Sequence, residues 1–517
     1  MRLFLFLVGG TGSRVMKPLV MQFAAGVHPI DEQGMPLPLE VVPIIVDPHK
    51  ANADLKATDN LLRWYKQIHH TLYGDRDDVT KGFFSVKIST LADVAKNTST
   101  LANTFLYNMG AVESKKFMEF IEYNTLDTPS QALTSMLFTG GPKGELETTM
   151  DIGFVGSPNI GSVVLNQFKD SEEFKQFCNI FDSRDRIFVV SSIFGGTGAA
   201  GYPVIVKNIR NASQNMNLNN RGDLQNSRIG ALTVLPYFSV EQNPDSPITK
   251  SDFISKTKSA LYYYHDNLTG LRINGTDTDY SKVNACYYLG DPVMSNPYQN
   301  DPGQDGQHDQ AHIVEFVGAL SILDFLQIPD DMLMTQNGLA LNPIFKEYGL
   351  ANDVESLNLK DLGMPTRQFI NRQMVKFQIS YMYVVNQLSH DIGRGYTEDK
   401  PEIKSGFLST PFFTTLTQNF YGVYYQWLLE MSQNRRSFTP FNLFTTDLSE
   451  VLIGIPAKSG LLNWKIDYKH VLAALNVASK DATKIGKYKP GQVAYKLFDL
   501  LDSQLDSLIE KKYDSII

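Results

Sequence analysis

Short apolar runs alternate with segments of helical period through much of the first 335 residues, and the first of them stops at a cluster of glycines. A strand that reads as a continuous apolar run is buried on both faces, and a helix between two strands supplies the crossover that parallel pairing requires. The rhythm predicts an α/β fold, a parallel sheet flanked by helices. Residues 3–8 form the first run, followed by a helical pattern through Val15, Leu19, Val20 and Phe23. Residues 41–46 form the second, ending at Asp47-Pro48. An amphipathic segment over 54–72 follows, with Leu55, Leu61, Leu62, Tyr65 and Ile68 on one side.

The rhythm breaks between residues 75 and 149. A strand at 83–88 and helical patterns over 91–109, 114–123 and 130–138 lead to a turn at 139–144, and the region reads as an insertion. The alternation resumes at Ile152. Strands are expected at 186–194, 229–234 and 285–289, helices at 203–209, 253–268 and 310–326, and a solvated Asn/Gln-rich loop at 211–226. Beyond residue 335 the segments are longer, mixed and rich in aromatics. A chain of 517 residues, 43% of them hydrophobic, exceeds what one core usually holds. The expected division is a first domain over 1–335 and a second, α+β domain over 336–517.

Three glycine-bearing turns carry the candidate chemistry. Gly9-Gly10-Thr11-Gly12-Ser13 lies between a strand and a helix, where glycines let backbone amides approach an anion and the helix start adds its positive end. A purely structural turn is the alternative, and the dinucleotide spacing GxGxxG fails because Val15 stands at the third glycine. Gly195-Gly196-Thr197-Gly198-Ala199-Ala200-Gly201 also follows a buried run. Its density of small residues exceeds what helix–sheet packing needs, so it reads as a cradle for a di- or triphosphate, with Thr197 adding a hydroxyl. A branched side chain at Gly198 is expected to fill that cradle in a chain that still folds. Gly156-Ser157-Pro158-Asn159-Ile160-Gly161 is either a third phosphate contact or an ordinary Ser-Pro-Asn turn.

Other chemistries are disfavoured. With 47 basic and 55 acidic side chains the net charge is −8 and no long basic run occurs, which argues against nucleic acid. Cys178 and Cys286 are too few and too far apart for a disulfide framework or zinc ribbon, as in a reducing cytoplasm. The motifs GxxxxGK[ST], HExxH, GxSxG and CxxC are absent, and the adjacent His69 and His70 face different ways on a helix. The run at 3–8 is short even for a signal peptide and reads as a buried strand, and no apolar stretch approaches the about 20 residues of a membrane span.

A glycine-rich first turn, a middle loop of the form Asn-Pro-x-x-Gly and a Gly-Thr-Gly turn opening a helix occur in this order in tubulin and FtsZ. The chain resembles that family over residues 1–335, with 75–149 inserted. Ser157-Pro158-Asn159-Ile160-Gly161 is similar to the middle element with Ser for Asn, and the 194–201 segment to the signature turn with Phe194 for its first glycine. Thr233-Val234-Leu235-Pro236-Tyr237-Phe238-Ser239-Val240-Glu241 resembles an FtsZ segment whose glutamate lies near the ribose, which implies that place for Glu241. An exposed loop carboxylate is the alternative. Asp47 stands where the family has an aspartate near the nucleotide, or is a helix-start residue beside Pro48.

The family reads guanine at the entry of its central helix, which the 310–326 segment resembles. His308 could stack on the base and Asp309 pair with guanine, although the family's aromatic-then-Asp/Asn pattern is missing. A capping aspartate and solvated histidines fit equally. The family's acidic loop, which positions water on a neighbour's nucleotide, corresponds to Asp330 and Asp331 after Pro329. The Asn-x-Asp-x-x-Asp spacing is absent, and an ordinary helix start has the same look. The resemblance implies GTP or GDP as ligand with Mg2+ carried by the nucleotide, head-to-tail self-assembly and slow or absent hydrolysis. It also leaves the insertion or the second domain for other protein partners. The alternatives are a nucleotide-bound scaffold that does not polymerise and, on the first turn alone, a Rossmann-type dinucleotide enzyme.

Overall fold

The computed structural model describes residues 1–49, 52–96, 100–110, 112–139, 144–151, 153–154, 156–212, 220–237, 250–269, 282–291, 310–334, 341–349, 354–363, 366–455, 466–481, 483 and 486–513. Seven parallel strands form its sheet: β1 (Arg2–Val8), β2 (Glu40–Val46), β3 (Lys87–Ile88), β4 (Arg186–Ser192), β5 (Arg228–Val234), β6 (Ala285–Gly290) and β7 (Ile344–Gly349). Their order is β3-β2-β1-β4-β5-β6-β7. The chain winds outward one way from β1 and the other way from β4, so the topological switch point lies between them. There Leu7 pairs with Ile45 on one side and Val190 on the other. The apolar run at 3–8 is thus an internal strand.

Alternate residues of β1 enter different cores. Leu3, Leu5 and Leu7 pack with α1 (Gly9–Ala24), α2 (Ala53–Tyr73) and a later helix. Phe4, Phe6 and Val8 pack on the opposite face with α3 (Pro158–Leu165), α4 (Glu172–Ile180), α5 (Gly196–Arg210) and α6 (Lys250–Leu268). The later helix on the first face is α7 (Ile313–Gln327), mostly apolar and largely buried between the sheet, α1 and the C-terminal helices, with Asp324 and Gln327 on a half-buried stripe.

Several expectations change. Among the described residues the pattern over 91–109 yields a helix only at Leu91–Ala95. Residues 105–107 instead pair with Ile45 through its amide and carbonyl, a demand that helical periodicity does not express. Of the strand expected at 83–88 only Lys87–Ile88 forms; Phe84 turns the chain at φ 56° and both Phe83 and Phe84 are buried in the first core. The pattern over 114–123 contracts to Phe117–Phe120. The 211–226 stretch contains a turn of helix, Arg221–Gln225. The sheet also runs past the expected boundary at 335, since β7 pairs with β6.

The chain beyond β7 is mainly helical among the described residues. α8 (Arg372–Asn386), α9 (Tyr421–Gln433), α10 (Tyr468–Ser479) and α11 (Val493–Lys512) accompany one two-residue parallel ladder, Ser356–Leu357 on Ser437–Phe438. Phe377, Trp427 and Leu501 share the core of Leu5 and Phe84, so these helices cover the α1/α2/α7 face and do not form a separate core.

Candidate functional site

In an open parallel sheet the crevice at the carboxyl ends of the strands, where the winding reverses, is where ligands bind. In this chain two glycine-rich segments end there, after β1 and after β4. Both are the first turns of helices and not free loops: α1 starts at Gly9, and α5 at Gly196 behind the N-cap Gly195. Neither N-cap contributes a side-chain hydrogen bond, and neither first turn holds an acidic residue. By contrast α2, α4 and α10 are capped by Asn52, Ser171 and Asp467. A helix start leaves its first amides without partners in the helix, and among the described residues no N-cap side chain covers these.

The separated segments meet. Gly9 adopts φ +75°, and a Cβ built on it would lie 3.5 Å from the Gly198 amide nitrogen, 3.6 Å from Thr197 Cβ and 3.9 Å from Asp47 Oδ2. On Gly196 a Cβ would lie 3.0 Å from the Ser157 nitrogen and 3.2 Å from that of Gly156. Gly9, Asp47, Thr197 and Gly198 therefore lie together, and Gly196 beside them adjoins Gly156 and Ser157, which brings the ends of β1, β2 and β4 and the turn before α3 to one region. Gly10 and Thr11 form its half-exposed lip, and a Cβ on Gly10 would meet nothing within 4 Å. Gly195, also half-exposed, has only Ser192 Oγ close to its missing Cβ, at 3.3 Å.

Other expected site residues serve packing. A Cβ on Gly12 would lie 2.8 Å from the Leu7 carbonyl carbon and 2.9 Å from the Val190 oxygen, so this glycine seats α1 on β1 and β4. Gly201 seats α5 against Val8, and Ala200 faces Gly161. The Ser13 hydroxyl is used within α1, donating to the Gly10 carbonyl at 2.9 Å. Ala199 receives the Tyr264 hydroxyl at 2.8 Å. Pro158 is the first residue of α3, and Asn159 on its first turn is exposed. The expectation for Gly198 needs correction. A Cβ there would strike the Ser192 carbonyl oxygen and lie 2.9 Å from the Ser192 nitrogen, so a branched residue breaks the α5–β4 contact before it touches any ligand. Glu241, His308 and Asp309 lie outside the described residues.

Asp47 follows β2 directly and lies beside Gly9. It accepts the His49 amide at 2.8 Å, and burial pushes its carboxyl up to about 7. Two further groups had no local signal in the sequence. Glu145, from the insertion, accepts the Ser157 hydroxyl, and Lys256 of α6 donates to the Gly156 carbonyl at 2.9 Å.

Next to the crevice, at the entry of α7, is a buried charged cluster also missed in the sequence. Arg14 Nε donates to Glu315 Oε1 at 2.7 Å and Arg14 Nη2 to the Gln310 carbonyl at 2.8 Å, with Asp54 Oδ2 at 3.7 Å. Burial lowers the Arg14 pKa, but Glu315, Tyr237 and Asp54 outweigh it and hold the guanidinium above its usual range. His312 caps α7 through Nδ1, which accepts the Val314 amide at 3.1 Å. It is buried and not solvated; that burial, with Arg14 and Arg436 nearby, lowers it to about 3. Arg436 and Asp291, both buried, pair at 2.8 Å.

Asp330 and Asp331 sit at the other end of the molecule. Asp330 follows α7 and is held by Arg186 at 3.0 Å and Arg228 at 2.6 Å, the first residues of β4 and β5. Asp331 is exposed. Among the described residues no helix is long and apolar enough to cross a membrane. No family model matches the chain, and neither a curated protein nor a solved structure matches it.

Proposed function

We propose that the chain binds a guanine nucleotide in a tubulin/FtsZ-type fold, with its phosphates in the crevice between the ends of β1 and β4. The observation that carries this reading is the convergence of three segments far apart in sequence on two uncapped helix starts. Two helix starts brought together without side-chain caps, each with its positive end, would suit a polyphosphate better than a neutral ligand. Asp47 and the Thr197 hydroxyl are the groups that would accept the divalent cation accompanying a nucleoside triphosphate, which neutralises phosphate charge. Magnesium sites of this kind use one or two protein groups with phosphate oxygens supplying others.

The assembly mode that goes with this reading is head to tail, the glycine crevice of one subunit facing the Asp331 end of the next. Such a heterologous contact extends into a filament unless it closes into a ring. A nucleotide-bound scaffold without turnover is the second reading, favoured by the engagement of Asp330 with two arginines. The strand order up to β6 is also that of dinucleotide-binding folds. A dinucleotide enzyme differs in that it would retain NAD(P) or FAD and ignore GTP.

The test uses Gly10→Val, whose added atoms point into open space. Titration calorimetry with GTP, GDP, ATP and NAD should show guanine-nucleotide binding by the wild type and a loss of about tenfold or more in the variant at unchanged melting temperature. That is the scale of a blocked close approach of backbone to phosphate. Equal GTP affinity in both proteins would refute the assignment.

A further inference from the structure

The geometry points to Glu145 as a built-in competitor for the terminal phosphate of a polyphosphate bound in this crevice. The inference rests on the phosphate reading above but assigns a role to the insertion, which that reading leaves unexplained. Glu145 opens a single helical turn, Glu145–Glu147, near the end of the inserted region. Its Oε1 accepts the Ser157 hydroxyl. Its Oε2 is buried and has no hydrogen-bond partner among the described residues.

Ser157 is the N-cap of α3, and its amide lies beside Gly196 at the start of α5. The starts of α3 and α5 therefore lie side by side here, as Gly161 and Ala200 do one turn further on, and the carboxylate of Glu145 is placed against the Ser157 end. The Ser157 amide is itself taken by the Phe154 carbonyl at 2.8 Å, so a terminal phosphate arriving here competes for the Ser157 hydroxyl, and it meets a like charge beside the buried Oε2, where repulsion is strong. Glu145 must then give way. Lys256, on the Gly156 carbonyl at 2.9 Å, is the cation positioned to serve whichever anion remains.

Displacement of Glu145 would carry a signal. The Glu145 amide donates to the Phe138 carbonyl at 3.2 Å, at the end of the inserted helix Thr128–Leu137, and Thr148 accepts the Phe117 amide at 2.9 Å. The insertion is thus tied to the one carboxylate that distinguishes an occupied terminal-phosphate position from an empty one. A diphosphate that stops short of Ser157 leaves the contact intact; a triphosphate breaks it.

The experiment measures binding of inorganic tripolyphosphate, GTP and GDP to the full chain, to Glu145→Gln and to Glu147→Gln. Glu147 is a neighbouring exposed carboxylate paired with Lys116 at 2.8 Å and serves as the control. Removing the repulsion should tighten tripolyphosphate and GTP by about tenfold in Glu145→Gln, with GDP changed less than about twofold and Glu147→Gln unchanged. In the wild type, hydrogen exchange over 128–149 should rise with tripolyphosphate and not with GDP. Unchanged or weaker triphosphate binding in Glu145→Gln overturns the proposal, and a loss confined to magnesium-loaded ligand would make Glu145 a cation ligand instead. If tripolyphosphate shows the effect and GTP does not bind, the competitor role stands and the guanine reading falls. If no polyphosphate binds any of the proteins, both fall.

Discussion

Two glycines of the candidate site show how differently the same residue can serve. Gly10 borders open space, whereas Gly198 lies against the Ser192 backbone. Gly198→Val should destabilise the chain by ~1–3 kcal/mol or more, the range for overpacking a close contact, in urea unfolding without ligand. Gly10→Val should stay within ~0.5 kcal/mol of wild type. Equal stabilities would mean that α5 yields easily and that the Gly198 contact is slack. Asp47 supplies a pH test. Burial raises its carboxyl from 3.8 to about 7, so the folded chain holds a proton there that the unfolded chain has released. Stability is then lost as pH rises from about 4 to about 7, the window between unfolded and folded values. Relative to Asp47→Asn, the wild type should lose unfolding free energy across that window. A constant difference between the two would show that Asp47 is well solvated.

Among the elements, the entry of α7 joins the sheet layer to the C-terminal helices. Glu315 pairs with Arg14 of α1, and its Oε2 accepts the His312 amide at 3.4 Å. The Ala311 amide donates to Glu430 of α9 at 3.1 Å. Glu315→Ala would remove the carboxylate nearest the buried Arg14 guanidinium and leave Asp54 and the Gln310 carbonyl among its partners, and removing one partner of a buried pair costs about 3–5 kcal/mol. A loss of about 3 kcal/mol is expected because Asp54 compensates in part. A loss below about 0.5 kcal/mol in urea unfolding would show that water reaches Arg14. Elements whose periodicity came from burial on one or both sides were readable beforehand, as in β1, β2, α2 and α7. The helices expected over 91–109 and 114–123 were not realised in full, because their apolar residues follow the contour of the edge they cover and not a helical face.

Across the whole molecule, α7 separates two ends. Its 15 residues at 1.5 Å each place Asp330 and Asp331 about 22 Å from its start, too far to act on the subunit's own crevice. Under the proposed nucleotide reading a hydrolytic role would fall on a neighbour's nucleotide, and exposed Asp331 suits it better than Asp330, whose charge is taken up by Arg186 and Arg228. Asp331→Ala should keep GTP binding and lower turnover by about 10²-fold or more, the scale of losing a water-positioning group. A mixture of Asp331→Ala with Gly10→Val should exceed the summed activities of the two, since each variant retains the half-site the other lacks. Strictly additive activity would place the site within one subunit. Absence of turnover in the wild type would favour the scaffold.

The α/β class and the turns at the candidate site were legible in the chain because both arise locally. Buried strands must be apolar throughout, and a close backbone approach demands glycine, so each leaves its mark on a few consecutive residues. The meeting of Gly9, Asp47, Ser157 and Thr197 was expected only through the family resemblance and has no local sign, since it follows from a strand order in which β1 and β4, nearly 180 residues apart, become neighbours. Nor has the division of labour among the glycines a local sign, being set by which of them faces a strand and which faces the crevice. Glu145 and the Arg14–Glu315 pair belong there too. A charged side chain carries no local sign of burial, and its partner is chosen only when the layers close around it.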